Sequence, residues 1–324
     1  MSDTHKVGVM LMTYGSPETL DDVLPYMRNV YGGREPDPEL VTEFKRRYDL
    51  IGGSPLVRIT REQAAALQEE LNRRHPDGPA FRVGVGMRFF RPFVPEELVH
   101  LVENGAERVV GVIMSPQYSP ILMSGYLKAV DAGVAALDRP VPVTVAGSWS
   151  RQPLFLKAIA ERIREALEAF PAETRDDAQV LLSAHSMPKP VIEREPDYID
   201  QLKETAAAVA ELAGLPPERW GFCYQSAGHT PEEWLKPDFA DVMPVLAAEG
   251  TRHVLIAPVQ FLADHLEILY DIEVGAREQA EEHGMVFART ASLNTSPLFI
   301  GALADLVEGE LTRSERETPE PALA

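Results

Sequence analysis

At 324 residues the chain has room for one large domain or two ordinary ones, and its hydrophobic content of 45% is that of a folded protein. The formal charge of −19, with a pI near 4.9, excludes nucleic acid and anionic lipid as principal partners, while a locally basic pocket for an anionic small molecule stays open. The single cysteine, Cys223, excludes internal disulfides and any thiolate-ligated cluster built within one chain.

The first residues, Met1-Ser-Asp-Thr-His-Lys6, lack the apolar segment of a signal peptide, and no apolar run reaches spanning length, which points to a cytoplasmic protein without stable membrane association. Short apolar runs then predict strands at Val7–Met12, Phe81–Val85, Val109–Met114, Val141–Ala146, Val180–Ala184, Gly221–Gln225, Val254–Pro258 and Val286–Arg289. Helical patterns lie between them. Thr60-Arg-Glu-Gln63 has the form of a capping box and predicts a helix from there through Arg74. Gly105 and Gly214 stand where helices ending near Asn104 and Ala213 need a left-handed residue. The charged, proline-containing tail from Arg313 to Ala324 reads as disordered.

Strand–helix alternation of this kind implies an α/β fold with parallel sheets covered on both faces. Gly105-Ala-Glu-Arg-Val-Val-Gly-Val-Ile-Met-Ser-Pro-Gln-Tyr118 is echoed by Gly250-Thr-Arg-His-Val-Leu-Ile-Ala-Pro-Val-Gln-Phe261, close to half the chain further on. The expected architecture is two Rossmann-like, doubly wound domains of similar topology with a cleft between them. Residues 1–147 form the first, 148–295 the second, and a helix over about 296–311 packs back on the first. The plainer alternative is that any two parallel strands look alike.

In such folds ligands lie beyond the carboxyl ends of the strands, and three chemical groups fall there. Tyr14 ends the first strand, and Gly15-Ser-Pro17 turns the chain away from it. His185 follows the strand Val180–Ala184 and can bind a metal or take a proton near neutral pH; a buried, hydrogen-bonded structural histidine is the alternative. Asp264, Glu267 and Asp271 share one helical face at i, i+3 and i+7, with no lysine or arginine before Arg277. Like charges so spaced cost about 0.2–0.5 kcal/mol per pair unless a cation sits among them. A capping box accounts for Asp264 and Glu267 but not for Asp271. Partly buried and unpaired, these carboxylates are expected to have raised pKa values, which suits proton acceptance. The apolar stretch Pro120-Ile-Leu-Met-Ser-Gly125 reads equally as a lip over a bound ligand or as core at a helix start.

Three segments together resemble the ferrochelatase family: Ser183-Ala-His-Ser-Met-Pro188; Tyr224-Gln-Ser-Ala-Gly228 with Thr230-Pro-Glu-Glu-Trp-Leu-Lys-Pro237; and Pro258-Val-Gln-Phe-Leu-Ala-Asp-His-Leu-Glu-Ile-Leu-Tyr270. The likeness runs from Val7 to about Leu311. It implies an enzyme inserting Fe²⁺ into a porphyrin held in the cleft, with His185 and Glu267 as the catalytic and metal-handling pair and Asp271 as the next acid. Tyr14 matches the tyrosine of the monoderm-type enzymes that act on coproporphyrin III to give coprohaem, and Arg47, Tyr48, Ser54 and Tyr126 match positions that hold propionates there. No organic cofactor and no iron–sulfur cluster are implied. A monomer making transient contacts with neighbouring haem-pathway enzymes is expected.

Three positions depart from the family pattern: Tyr31 replaces a propionate-binding arginine, with Arg28 or Arg34 placed to substitute; Phe89 replaces a histidine beside Arg88; and Gly275 replaces the third acid of the helical stripe, with Glu273 on a different face. The rival readings are a protoporphyrin IX ferrochelatase, a chelatase for another tetrapyrrole and metal, and a non-catalytic porphyrin or haem carrier.

Overall fold

Two four-stranded parallel sheets frame the protein, whose structure, a computed structural model, describes residues 6–228 and 231–317. The first holds β1 (Lys6–Thr13), β2 (Ala80–Met87), β3 (Ala106–Ile113) and β4 (Val143–Val145) in the order β2-β1-β3-β4. The second holds β5 (Gln179–His185), β6 (Trp220–Gln225), β7 (His253–Pro258) and β8 (Val286–Arg289) in the order β6-β5-β7-β8. Every strand expected from the sequence is present, and the two orders coincide when each half is counted from its first strand. The repeated segments therefore hold equivalent places, β3 and β7, each entered through a left-handed glycine, Gly105 at φ +94° and Gly250 at φ +95°.

The helices connecting β1 to β2 are α1 (Val23–Val30), α2 (Pro38–Leu50) and α3 (Leu56–Arg74). α4 (Val94–Glu103) leads to β3, α5 (Pro120–Ala135) to β4 and α6 (Pro153–Leu167) to the second sheet. There α7 (Lys189–Ile192) and α8 (Pro196–Ala213) precede β6, and α9 (Phe239–Ala248) precedes β7. A π-helix (Glu267–Ala276) continued by α10 (Arg277–Glu282) precedes β8, and α11 (Pro297–Glu317) closes the fold.

Helices cover both faces because the strands are apolar on both. Along β1, Val7, Val9 and Leu11 enter one core with Leu67 and Leu71 of α3, while Met10 and Met12 enter another with Leu98 of α4 and Val130 of α5. That is why β1 reads as a continuous apolar run instead of an alternation. The first core also takes Val180 and Leu182 of β5 and Leu255 and Ala257 of β7, so the two sheets share it, with α6 and α11 between. Phe155 of α6, fully buried, packs edge-on to Trp149 at 5.1 Å; each such side chain contributes about 1.5–3 kcal/mol. Arg74 of α3 fastens α11, donating to Asp305 at 2.7 Å and Glu308 at 2.8 Å.

Two local expectations fail. α3 begins at Leu56, a turn before the expected capping box, and the Thr60 hydroxyl donates back to the Leu56 carbonyl at 2.8 Å from inside the helix. Val57 and Ile59 are drawn into the core, and their burial outweighs the local cap. The segment expected to be disordered from Arg313 instead continues α11 to Glu317, aided by an Arg313–Glu310 ion pair one turn apart. The rest of that tail, the residues before Lys6, and Thr230 of the motif segments lie outside the described residues.

Candidate active site

The carboxyl ends of β1 and β5 and the start of the π-helix bring the chemistry together. His185 is the last residue of β5, and its backbone N–H donates to Gln260 Oε1 at 2.9 Å. Its Nδ1–H donates to the Ser186 carbonyl, which leaves Nε2 facing Glu267 Oε2 at 3.6 Å. The ring lies against Phe261 and Trp234, each at 6.3 Å. The His185 and Glu267 side chains are 28% and 33% exposed.

Glu267 has a second imidazole beside it. His265 donates from Nδ1 to the Ala263 carbonyl at 2.9 Å and turns Nε2 toward the same Oε2 at 3.8 Å. Both separations are too long for hydrogen bonds, and Glu267 Oε2 is buried without a hydrogen-bond partner among the described residues. Two imidazole nitrogens thus face one carboxylate oxygen. Among the described residues no three of His, Cys, Asp and Glu gather tightly enough to enclose a metal ion.

The electrostatics separate the acids. For Glu267 burial acts to raise the pKa, but the adjacent His185 and His265 outweigh it and hold the carboxyl below its usual range. For His265 burial opposes the cation, and Glu267 overcomes it, so its pKa is raised. Asp271 behaves oppositely to Glu267: burial raises it and the Glu267 charge adds, against a hydrogen bond from Ser226 and the Arg47 charge. The expectation of raised carboxylates therefore holds for Asp271 and fails for Glu267, because the imidazoles supply what sequence spacing does not reveal.

Asp264 leaves the stripe. It precedes the helix, its carboxylate accepts from Ser292 Oγ and Asn294 Nδ2, both at 2.9 Å, and Arg289 Nη1 lies 3.5 Å away. The cation absent from its own helix comes from β8. Nor does it act as a cap: the N-cap position is Leu266, and the Asp264 carboxylate is taken by Ser292 and Asn294. Glu273 points elsewhere and pairs with Arg277 and Arg289, leaving Gly275 without an acidic substitute.

Across the cleft, Tyr14 follows β1 and is 44% exposed. The turn needs Gly15, whose φ is +91° and whose missing Cβ would stand 2.9 Å from Phe90 Cβ. The Tyr14 ring leans on Phe89 at 4.5 Å. Partial burial raises its pKa; Arg88 opposes this, and Glu267 and Tyr31 reinforce it. The Glu267 charge also reaches Tyr26 and Tyr48, so the carboxylate faces the first half.

The positions matched to propionate binding are differently disposed. Arg47 of α2 is held by Glu43 at 2.8 Å and stacked over Tyr270 at 4.9 Å, while Arg46 donates to the Tyr270 hydroxyl at 2.6 Å, clasping α2 to the π-helix. Tyr48 is buried with its hydroxyl 3.4 Å from Ser16 Oγ, and burial pushes it up to about 12. Tyr126 of α5 is also buried, and its pKa is raised for the same reason. Ser54, partly buried, follows the left-handed Gly52 and Gly53 and opens α3, accepting from Leu56 N at 3.4 Å. Of the arginines placed to substitute at Tyr31, Arg28 is engaged by Glu35 at 2.7 Å, and Arg34 donates to the Tyr31 carbonyl at 3.1 Å. Pro120–Gly125 is no loop but the first turns of α5, capped by Ser119, with Met123 buried and Ile121 exposed.

Sequence reasoning missed three contributors. His265 stood two residues from Glu267 without an assigned role. Gln260 belongs to the Pro/Gln/aromatic turn repeated in both halves, a signal that could have marked it. Ser226 takes a left-handed φ of +57°, which directs it at Asp271 and which no local pattern announces.

Two parallel-sheet halves of one topology form a two-domain α/β protein. SirB from Bacillus subtilis with Fe³⁺ has a similar fold, with a TM-score of 0.60 at 14% identity over 96% of this chain and 98% of that one. CbiX, described as the terminal enzyme for biosynthesis of sirohaem in denitrifying bacteria, gives 0.52 at 14% identity, covering 93% and 98%.

The sequence narrows the class. The Ferrochelatase family model matches residues 6–311. The chain is 40% identical over 306 residues to a ferrochelatase of Herpetosiphon aurantiacus, covering 94% of this chain and 99% of the relative. It is 38% identical over 302 residues to the coproporphyrin III ferrochelatase of Geobacillus kaustophilus, covering 93% and 94%. The chain belongs to the ferrochelatase family. It is an enzyme of haem biosynthesis that takes Fe²⁺ and a porphyrin as substrates and inserts the iron. Among the described residues no helix is long and apolar enough to cross a membrane.

Proposed function

We propose that the porphyrin is coproporphyrin III and the product coprohaem. The observation that carries this reading is Tyr14: a half-exposed phenol at the end of β1 that feels the Glu267 charge. The relatives of this chain include enzymes named for coproporphyrin III as well as enzymes named only ferrochelatase. The macrocycle lies in the cleft between residues 1–147 and 148–295, ruckled so that pyrrole lone pairs leave the ring plane, the strain being offset by remote carboxylate contacts.

On this reading Glu267, ionised because His185 and His265 flank it, takes a pyrrole proton, and His185 Nε2 handles iron or the second proton. Asp271, whose raised pKa eases protonation, relays protons outward past Ser226. Tyr14 approaches the metal from the other face. Arg47, Tyr48, Ser54 and Tyr126 surround the propionates, and Arg47 exchanges Glu43 for a substrate carboxylate. No organic cofactor takes part, and one buried cysteine leaves no ligand set for an iron–sulfur cluster. The enzyme acts as a cytoplasmic monomer in transient contact with its pathway neighbours.

Protoporphyrin IX is favoured by one observation: with Tyr48 and Tyr126 buried and Arg47 paired, few polar groups stand free for four carboxylates. Anaerobic Fe²⁺ insertion followed by absorbance, with the two porphyrins side by side, separates the readings. A strong coproporphyrin preference is expected; preference for protoporphyrin overturns the assignment and keeps the family.

A further inference from the structure

Arg88 is the cleft's uncommitted guanidinium. It follows β2, and its backbone N–H donates to the Thr13 carbonyl at 2.9 Å, which places it beside the end of β1. Arg28, Arg46 and Arg47 are each held by a carboxylate of their own neighbourhood, Glu35 or Glu43. Arg88 is not: among the described residues its guanidinium meets aromatic faces, with Cζ 4.6 Å from the Phe89 ring centre and 5.6 Å from that of Tyr126.

A third surface completes the mould. Gly125 of α5 lies flush against the guanidinium, and a Cβ there would stand 2.2 Å from Arg88 Cζ. Only a residue without a side chain lets the group lie where it does. The Arg88 charge is felt by both Tyr14 and Tyr126, so it stands beside them at the end of β1. A half-buried cation fixed on three sides, without an anionic partner in a chain of net charge −19, is prepared for an anion from outside. Its planar fork matches a carboxylate bidentately and, being already held, loses little freedom on binding.

We propose that Arg88, seated on Gly125 between Phe89 and Tyr126, is a carboxylate anchor that sets the position of the porphyrin on the Tyr14 side of the cleft. This rests on the porphyrin reading of the site but not on which porphyrin is natural. The test compares equilibrium binding, read by the porphyrin absorbance shift in one detergent buffer, of coproporphyrin III, protoporphyrin IX and the methyl esters of both. Arg88→Met is expected to weaken binding of the free acids by about tenfold or more, the usual worth of a charge-assisted pair, and to leave the esters unchanged. Arg88→Lys restores part of the loss. Gly125→Ala, which keeps the arginine but displaces it, reproduces the loss and carries the test if Arg88→Met does not fold. Equal loss for acids and esters makes Arg88 a packing residue and overturns the proposal, as does no loss at all. Wild-type preference for protoporphyrin with the acid-specific Arg88 effect intact overturns the coproporphyrin reading alone.

Discussion

His185 and Tyr14 stand at matching places in the two halves: His185 ends β5 and Tyr14 follows β1, and each of these strands is flanked in its sheet by the second and third strands of its half. The repeated topology thus delivers one reactive side chain from each sheet to a shared cleft, and the Glu267 charge is felt from the second half to Tyr14 in the first. On the proposed reading a flat ligand between them would meet an imidazole and a carboxylate on one face and a phenol on the other.

Replacing Glu267 by alanine is expected to lower the iron-insertion rate by roughly a hundredfold or more, the usual weight of a positioned general base, while porphyrin binding stays within a few fold. Stopped-flow metallation and a binding titration on the same preparation check both. Full insertion activity in the variant would remove Glu267 from the proton-accepting role.

Glu267 and His265 make stability depend on pH in a defined window. The Glu267 pKa is lowered, so its contribution is present above the unfolded carboxylate pKa and lost as pH falls through the folded one. The His265 pKa is raised, so its contribution is present below the unfolded imidazole pKa and lost as pH rises through the folded one. The stability difference between wild type and Glu267→Gln is therefore expected to peak between the two ranges and shrink on either side. Denaturant unfolding at a series of pH values tests it; a difference independent of pH would contradict the pairing.

Asp271 has a raised pKa, so its folded form favours the proton and pays for ionisation at neutral pH. Asp271→Asn is expected to raise the melting temperature at pH 7, with the gain vanishing at pH values below the ordinary carboxylate range. Iron insertion should fall about tenfold, at the low end of general acid–base contributions or slightly below it. A lower melting temperature at pH 7 would count against the buried-acid assignment.

Tyr14→Met tests substrate choice. The ratio of kcat/KM for coproporphyrin to that for protoporphyrin is expected to drop by about tenfold, worth roughly 1.4 kcal/mol. An unchanged ratio would remove Tyr14 from selectivity.

Ser226→Gly should relieve a left-handed backbone costing roughly 1–2 kcal/mol, raising the melting temperature. It also deletes the hydrogen bond to Asp271, so the Asp271 pKa should rise further and metallation should slow. Faster metallation would show that the Ser226 hydroxyl has no part in the relay.

Much of this was legible in the residues. β1 and β5 are apolar on both faces, so their run lengths showed the strands, and the position of His185 at a strand end followed from where the run stops. Gly105 and Gly250 announced the repeat because a left-handed residue is needed in both places. Glu267 and Asp271 share a helical face at a local spacing, which sequence conveys directly. What sequence did not convey was partnership over distance. Asp264 looked like a third acid of the stripe until Arg289, Ser292 and Asn294 came from β8 and the segment after it. Glu267 looked like a raised carboxyl until two imidazoles anchored by backbone carbonyls turned toward it. In sequence Arg47 matches a propionate position and Arg88 has no assigned role, yet the first is paired with Glu43 and the second lies against Gly125. Periodicity and turn chemistry act within a few residues and determined the elements and the strand ends. Charge pairing and burial act through space, and only the folded chain decided which of these groups keep a partner and which wait for one.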